Sequence, residues 1–298
     1  MHPEQSQGAP IHVPVMPLEV LSYLNISADG VYLDGTVGLG GHATLITNQL
    51  SHKGHFIGID KDEDALSICK QHLSSSPTTV SLFHDSYHNI ESILDQLEIQ
   101  EVNGLILDLG FSSLQLDSYE RGFSFSRDGE LDMRFDQSQK RTAADIVNNL
   151  PVKELADVIY NFGEERRSRS IARSIESQRP LQSVSDLVNA IRSRTPPNHR
   201  DRTFSRVFQA IRIKVNDELD RLEYFLSNFI NRLALGGRIA IISFHSLEDR
   251  LVKHNFKSLA KEGYLSILTK KPLIPSEKEM NKNRKSRSAK LRAAERIY

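Results

Sequence analysis

Short apolar runs alternate with amphipathic stretches along the first third of the chain. Residues 31–34, 55–60, 79–83 and 102–108 are apolar, and β-branched or aromatic, with little period-two alternation. That is the pattern of strands buried on both faces of a parallel sheet. Helical patterns over 42–50, 62–73 and 90–97 fall between them. Strand–helix alternation of this kind predicts a doubly wound α/β fold. The next strand pattern, 238–244, comes only after a gap of about 130 residues, where one crossover helix would suffice. The end of the gap supplies that helix: 217–235 carries apolar residues at helical spacing and stops at Gly236-Gly237. The earlier part holds helical patterns at 143–150, 152–160, 166–177 and 184–194. The expected organisation is a sheet domain in two parts, 1–114 and 215–298, with an all-helical insertion at 115–214. In such sheets ligands sit beyond the carboxyl ends of the strands, so the insertion is expected to overhang that edge.

The loop after the first strand pattern narrows the ligand. Residues 34–42 read Asp-Gly-Thr-Val-Gly-Leu-Gly-Gly-His, and Asp60 closes the second strand eighteen residues after His42. Glycines at 38, 40 and 41 allow a sharp turn and close backbone approach. A carboxylate at the next strand tip can accept hydrogen bonds from ribose hydroxyls. Gly38 to Ala43 also fits the dinucleotide pattern, which would bring a pyrophosphate to a helix N-terminus. Asp34, directly before the turn, would repel that group and attract a cation, such as the amino group or sulfonium of S-adenosylmethionine. This favours the methyl donor over NAD.

Composition sets broad limits. The 298 residues suffice for two domains, and 39% hydrophobic with 26% charged content is ordinary for a globular chain. No run is long and apolar enough for a membrane span, and the first residues lack a signal-peptide pattern, so a cytoplasmic protein is expected. Cys69, the single cysteine, falls at helical spacing with Ala65 and Leu66 and reads as core packing; no Cys/His cluster predicts a metal. The net charge of zero hides polarity. Residues 164–214 hold twelve Lys/Arg against five Asp/Glu, and 266–298 hold ten against three. Two basic segments on a neutral chain suggest a polyanion footprint. Residues 1–10 and about 276–290 are polar enough to be poorly ordered when unbound.

Asp108, at the tip of the fourth strand and followed by Leu-Gly-Phe-Ser-Ser, is placed to orient an amine or hydroxyl acceptor, or to cap the next segment. Gln115 is a candidate hydrogen-bonding group for cofactor or acceptor. Residues 120–126 and 131–135 mix arginines with phenylalanines, which suits stacking on an unpaired nucleotide or anchoring of the insertion. His245 begins a Ser-Leu-Glu-Asp-Arg run, where a structural role weighs slightly more than contact with substrate.

These segments, with Val207 to Leu219, Ser243 to Arg250 and Ser286 to Arg292, resemble the bacterial ribosomal RNA small-subunit methyltransferase H family over about 11–296. The resemblance implies a Rossmann-type class I methyltransferase fold with a helical insertion. It implies transfer of a methyl group from S-adenosyl-L-methionine to the exocyclic N4 of a cytidine in the decoding region of small-subunit rRNA. By matching position, Gly40, Gly41, His42, Asp60, Tyr87, Asp108 and Gln115 would bind the cofactor, and Asp108 would also orient the acceptor. Tyr87 stands where the family usually has phenylalanine, and Leu114 where proline is common. Partners would be the rRNA or the assembled small ribosomal subunit, with no membrane; the sequence leaves the oligomeric state open, a homodimer included. The rivals are a methyltransferase for another amine in DNA or protein, an NAD-dependent oxidoreductase, and a non-catalytic RNA-binding assembly factor.

Overall fold

The structure is a computed structural model that describes residues 14–298, apart from the side chains of Ser113, Asp117 and Tyr119. The expectation for residues 1–10 lies outside the described residues. In chain order the first elements are α1 (Pro17–Leu24), β1 (Val31–Asp34), α2 (Gly41–Thr47), β2 (His55–Asp60), α3 (Glu63–His72), β3 (Thr79–His84), α4 (Ile90–Gln96) and β4 (Val102–Asp108). Seven helices follow: α5 (Ser113–Asp117), α6 (Ala143–Asn149), α7 (Val152–Gly163), α8 (Ser168–Ser177), α9 (Val184–Arg192), α10 (Arg200–Asn216) and α11 (Glu218–Asn228). The chain closes with β5 (Leu233–Ser243), α12 (Ser246–Lys261), β6 (Leu265–Ile267), α13 (Glu277–Lys282) and β7 (Lys290–Arg296).

Two compact units emerge. One comprises residues up to Asp60, Asp64–Leu109 and Asn228–Tyr298; the other comprises Lys61–Glu63 and Gly110–Ser227. The first holds a seven-stranded sheet in the order β3-β2-β1-β4-β5-β7-β6. Strands β1 to β5 are parallel, and β7 runs antiparallel between β5 and β6. The first four strand patterns and the helices between them form as expected; β1, β2 and β4 are largely buried, whereas β3, at the sheet edge, is only partly covered. Leu33, Ile57, Leu105 and Ile106 are almost wholly buried.

Three elements differ from the sequence reading. The helix expected to run to 235 ends at Asn228, and β5 begins at Leu233. Gly236-Gly237 lies within β5, where the register against β4 shifts between Val102 and Gly104, so these glycines form an irregularity in a strand and not a helix stop. The C-terminal basic segment, expected to be poorly ordered over 276–290, forms α13 and a 3₁₀ turn over Arg284–Ser288, then enters the sheet as β7. Leu291, Ala293 and Ala294 are fully buried there. Its cations are partly consumed: Arg292 Nε sits 2.7 Å and Lys290 Nζ 3.5 Å from Asp249 carboxylate oxygens, and Arg296 pairs with Glu101 at 2.7 Å.

The second unit is all-helical around its own core. Leu155, Ile159, Ile171, Ile175, Leu187 and Ile211 are fully buried in it, and Phe123 and Phe135 are largely so. Its longest helix, α10, does not appear among the sequence-predicted ones. Phe204, Val207, Phe208, Ile211 and Val215 all enter the core from it, a helical spacing that is legible in the sequence.

Candidate active site

The site lies at the carboxyl ends of the parallel strands of the sheet unit. Asp34 pairs in register with Gly58 of β2 and Ile106 of β4, so Asp60 and Asp108 each stand two residues beyond it. The turn after β1 continues between those two tips, with Gly35 N bonded to Ile106 O and Val37 N to Ile59 O. Asp60 Oδ2 then accepts from Gly38 N at 2.7 Å, which fastens the glycine turn to β2. Gly40 holds φ +87°, a left-handed conformation that strains other residues. A Cβ there would also stand 3.0 Å from Cys69 Sγ. Cys69 is thus packing beneath the turn; burial, Asp34 and Asp60 push its thiol up to about 12, so it is inert at neutral pH. Gly41 opens α2, and His42 follows it, 5% exposed. Tyr87, half-buried after β3, rests on the exit of β1, its Cβ 2.7 Å from where a Gly35 Cβ would be.

Asp34 is 1% exposed. Its Oδ1 accepts from Thr36 N at 2.9 Å, an Asx-type turn, and from Thr36 Oγ1 at 3.3 Å. Thr36 Oγ1 in turn accepts from Asp108 N at 2.6 Å, so this residue, unremarked in the sequence reading, joins the tips of β1 and β4. Burial drives the Asp34 carboxyl up to about 7; Asp108 and Asp60 add to the rise, and His42 and the Thr36 bond oppose it. Without a cation, Asp34 is therefore only partly ionised at neutral pH, which qualifies the expectation of a standing negative charge there.

His42 Nε2 approaches Asp108 Oδ2 at 3.7 Å. Among the described residues, neither His42 Nε2 nor Asp108 Oδ1 has a hydrogen-bond partner, although both atoms are buried. Such atoms cost about 1–3 kcal/mol each when left unmade, and an incoming ligand can recover that. Three carboxyl groups gathered about Asp34, with one imidazole beside Asp34 and Asp108, fit a ligand bringing positive charge and hydrogen-bond donors. S-adenosylmethionine carries both: a sulfonium and an ammonium, plus ribose hydroxyls for a strand-tip carboxylate such as Asp60.

Gln115 is placed in the helical unit. It is 3% exposed and reciprocates with the N-cap Ser112 in a capping box, its Oε1 accepting from Ser112 N at 2.9 Å. Its Nε2 donates to Asp62 Oδ2 at 2.8 Å, where Arg121 Nη1 also arrives at 3.1 Å. Arg121 Nη2 meanwhile reaches the carbonyls of Arg134 and Phe135. This buried Asp62–Gln115–Arg121 group escaped the sequence reading; Asp62, two residues after Asp60, carries no local sign of a partner 59 residues away.

The arginine–phenylalanine segment resolves as an anchor. Phe123 stacks between Phe111 and Phe135, and Phe125 packs against Phe204 and Phe208. Arg134 is held by Asp132 at 2.6 Å. His245 caps α12, with Nε2 3.2 Å from Glu248 Oε1. The helical unit's exposed cations are Arg166, Arg169, Arg173, Arg192, Arg194 and Arg202 among the basic residues of 164–214, whereas Arg212 is buried against Glu218 at 2.9 Å.

A Rossmann-type sheet with an antiparallel strand beside β5, carrying a glycine turn flanked by strand-tip carboxylates, defines a class I methyltransferase architecture. The sequence places it further: the chain matches the MraW methylase family over residues 9–297 and belongs to that family. It is 50% identical over 290 residues to the ribosomal RNA small subunit methyltransferase H of Thermosipho africanus, covering 96% of this chain and 98% of that one. The protein of the same name from Kosmotoga olearia is 48% identical over 299 residues, covering 98% and 100%. Among solved structures, an rRNA methylase from Streptococcus thermophilus matches with a TM-score of 0.44 and 12% identity, covering 99% of this chain and 100% of that one. Among the described residues, no helix is long and apolar enough to cross a membrane.

Proposed function

We propose that the protein transfers a methyl group from S-adenosylmethionine to the exocyclic N4 of a cytidine in small-subunit rRNA, and that the turn at Gly38–His42 with Asp60 and Asp108 is its donor pocket. The carrying observation is the cluster of strand-tip carboxyl groups with orphaned buried atoms on His42 and Asp108, in a chain of the MraW methylase family. The donor, when bound, supplies an activated methyl group on a cationic sulfur.

The chain's own residues do the rest. Gly40 and Gly41 bring backbone to the ligand without a Cβ, Asp60 accepts from ribose hydroxyls, and the Tyr87 ring packs against the adenine. Cytosine N4 is a weak nucleophile because its lone pair is delocalised into the ring. Asp108, 21% exposed at its side chain, accepts a hydrogen bond from that amine and aligns the nitrogen. Alignment contributes more than proton abstraction, since the donor is already activated. The cytidine must leave its stack to reach such a pocket. Exposed arginines of the helical unit hold the RNA backbone, which makes affinity fall as salt rises.

The test is to incubate the protein with methyl-labelled S-adenosylmethionine and small subunits, or their naked rRNA, lacking the modification. Label recovered as N4-methylcytidine is expected. No label in RNA overturns the reading, and label in protein supports the rival acceptor.

A further inference from the structure

The reading above gives His42 a place in the donor turn but gives its side chain no step in the transfer. Its imidazole is buried, Nε2 has no hydrogen-bond partner among the described residues, and Asp108 Oδ2 lies 3.7 Å away. Asp108 spans two environments. Oδ1 is buried and unpartnered, yet the side chain as a whole is 21% exposed, so one carboxylate joins the pocket to the imidazole behind it. Asp34 on β1 interacts with both members of this pair and with Asp60 on β2.

We infer that His42 is a positioning and proton-receiving partner of Asp108: it takes up, through that carboxylate, the proton shed by the methylated amine. The inference rests on the proposed methyl-transfer reading. The acceptor nitrogen's lone pair forms the new N–C bond as the S–C bond breaks, and the pair from that bond stays on sulfur, cancelling its charge. The nitrogen, now cationic, releases one proton to the Asp108 carboxylate, and His42 Nε2 receives it by closing the 3.7 Å gap to hydrogen-bond distance. No oxidant or other co-reactant is needed. The proton leaves to solvent after the product does.

A side chain that binds cofactor and one that receives a proton respond differently to substitution. His42→Gln keeps a polar group near Asp108 but cannot hold the proton; His42→Asn is the second variant should the first not fold, with thermal melting as the control. The expected result is a single-turnover methyl-transfer rate about 10–100-fold lower, below the usual range for a primary acid–base group. The dissociation constant for S-adenosylhomocysteine, measured by calorimetry, stays within about twofold, as for a group that is not bound to the ligand. The pair Asp108→Asn with His42→Gln is no slower than Asp108→Asn alone, since the two act as one unit. A weakened dissociation constant with an unchanged single-turnover rate overturns the inference and returns His42 to cofactor binding. An unchanged rate with unchanged affinity also overturns it. Failure of the wild-type protein to methylate any RNA breaks the underlying reading instead, a separate outcome.

Discussion

Asp62 in the helical unit and Asp34 in the sheet unit are equally hidden, at 3% and 1% exposure, but they are accompanied differently. Asp62 receives a guanidinium and an amide on one oxygen, and the same unit matches Arg212 with Glu218 and Asn216 with two backbone carbonyls. Among the described residues, Asp34 has only Thr36 for hydrogen bonds, with two further carboxyl groups nearby, and the neighbouring His42 and Asp108 each keep an unpartnered buried atom. A buried carboxylate matched by a guanidinium holds a fold in register, although Arg121 Nε keeps no partner among the described residues. A buried cluster left short of donors and positive charge is waiting for them from elsewhere. The contrast between the two groups is one of charge matching: Asp62 faces a guanidinium, Asp34 two further carboxyl groups.

The largest expected effect falls on the site side. Asp108→Ala should slow methyl transfer by about 10²–10⁴-fold, the range for a positioned acid–base group, while cofactor affinity changes far less. Single-turnover rates beside calorimetric affinities check this, and the reverse pattern would make Asp108 a cofactor ligand only.

On the architecture side, Arg121→Ala leaves Asp62 charged and buried, which should cost about 3–5 kcal/mol of stability. Urea denaturation measures it. A loss below about 1 kcal/mol would mean that the helical unit's pairing is ornamental and the comparison fails.

Asp34 offers a test with a sign. Its carboxyl sits near 7 in the folded chain against an ordinary 3.8, so the folded state binds the proton more tightly. Its contribution to stability is therefore present at low pH and is lost as pH rises from about 4 through about 7, by up to roughly 4 kcal/mol for a shift of this size. Asp34→Asn should flatten that slope in unliganded protein, followed by denaturation midpoints between pH 5 and 8. A cationic ligand should oppose the loss, since it favours the ionised form. A slope unchanged by the substitution would remove Asp34 from the unsatisfied cluster.

The smallest effect is at Asp60. Asp60→Ala removes charge-assisted hydrogen bonds worth about 1.5–3 kcal/mol, so cofactor affinity should weaken by roughly 10–100-fold. The thermal melt should show the fold retained, although Gly38 loses its anchor. Unchanged affinity would show that Asp60 serves only the turn.

Legibility followed the range of the interactions involved. β1 to β4, the glycine turn and Asp60 and Asp108 at strand tips were readable because period and turn chemistry are local properties of the chain. The sequence Lys-Leu-Arg-Ala-Ala-Glu-Arg of β7 has poor strand propensity, and only its place between β5 and β6 makes it a strand. Gln115 was readable as polar and well placed, but its commitment to Asp62 depends on a residue 53 positions away.

By itself, the sequence determined the α/β alternation, the donor turn and the family, because apolar spacing and glycine placement dictate local backbone whatever lies around them. Only the tertiary structure decided which buried charges are paired. Burial and proximity, which set the cost of a charge and the pKa of Asp34, arise from strands and helices meeting across the chain. That is how Asp62 became a fastening and the group around Asp34, His42 and Asp108 became a site.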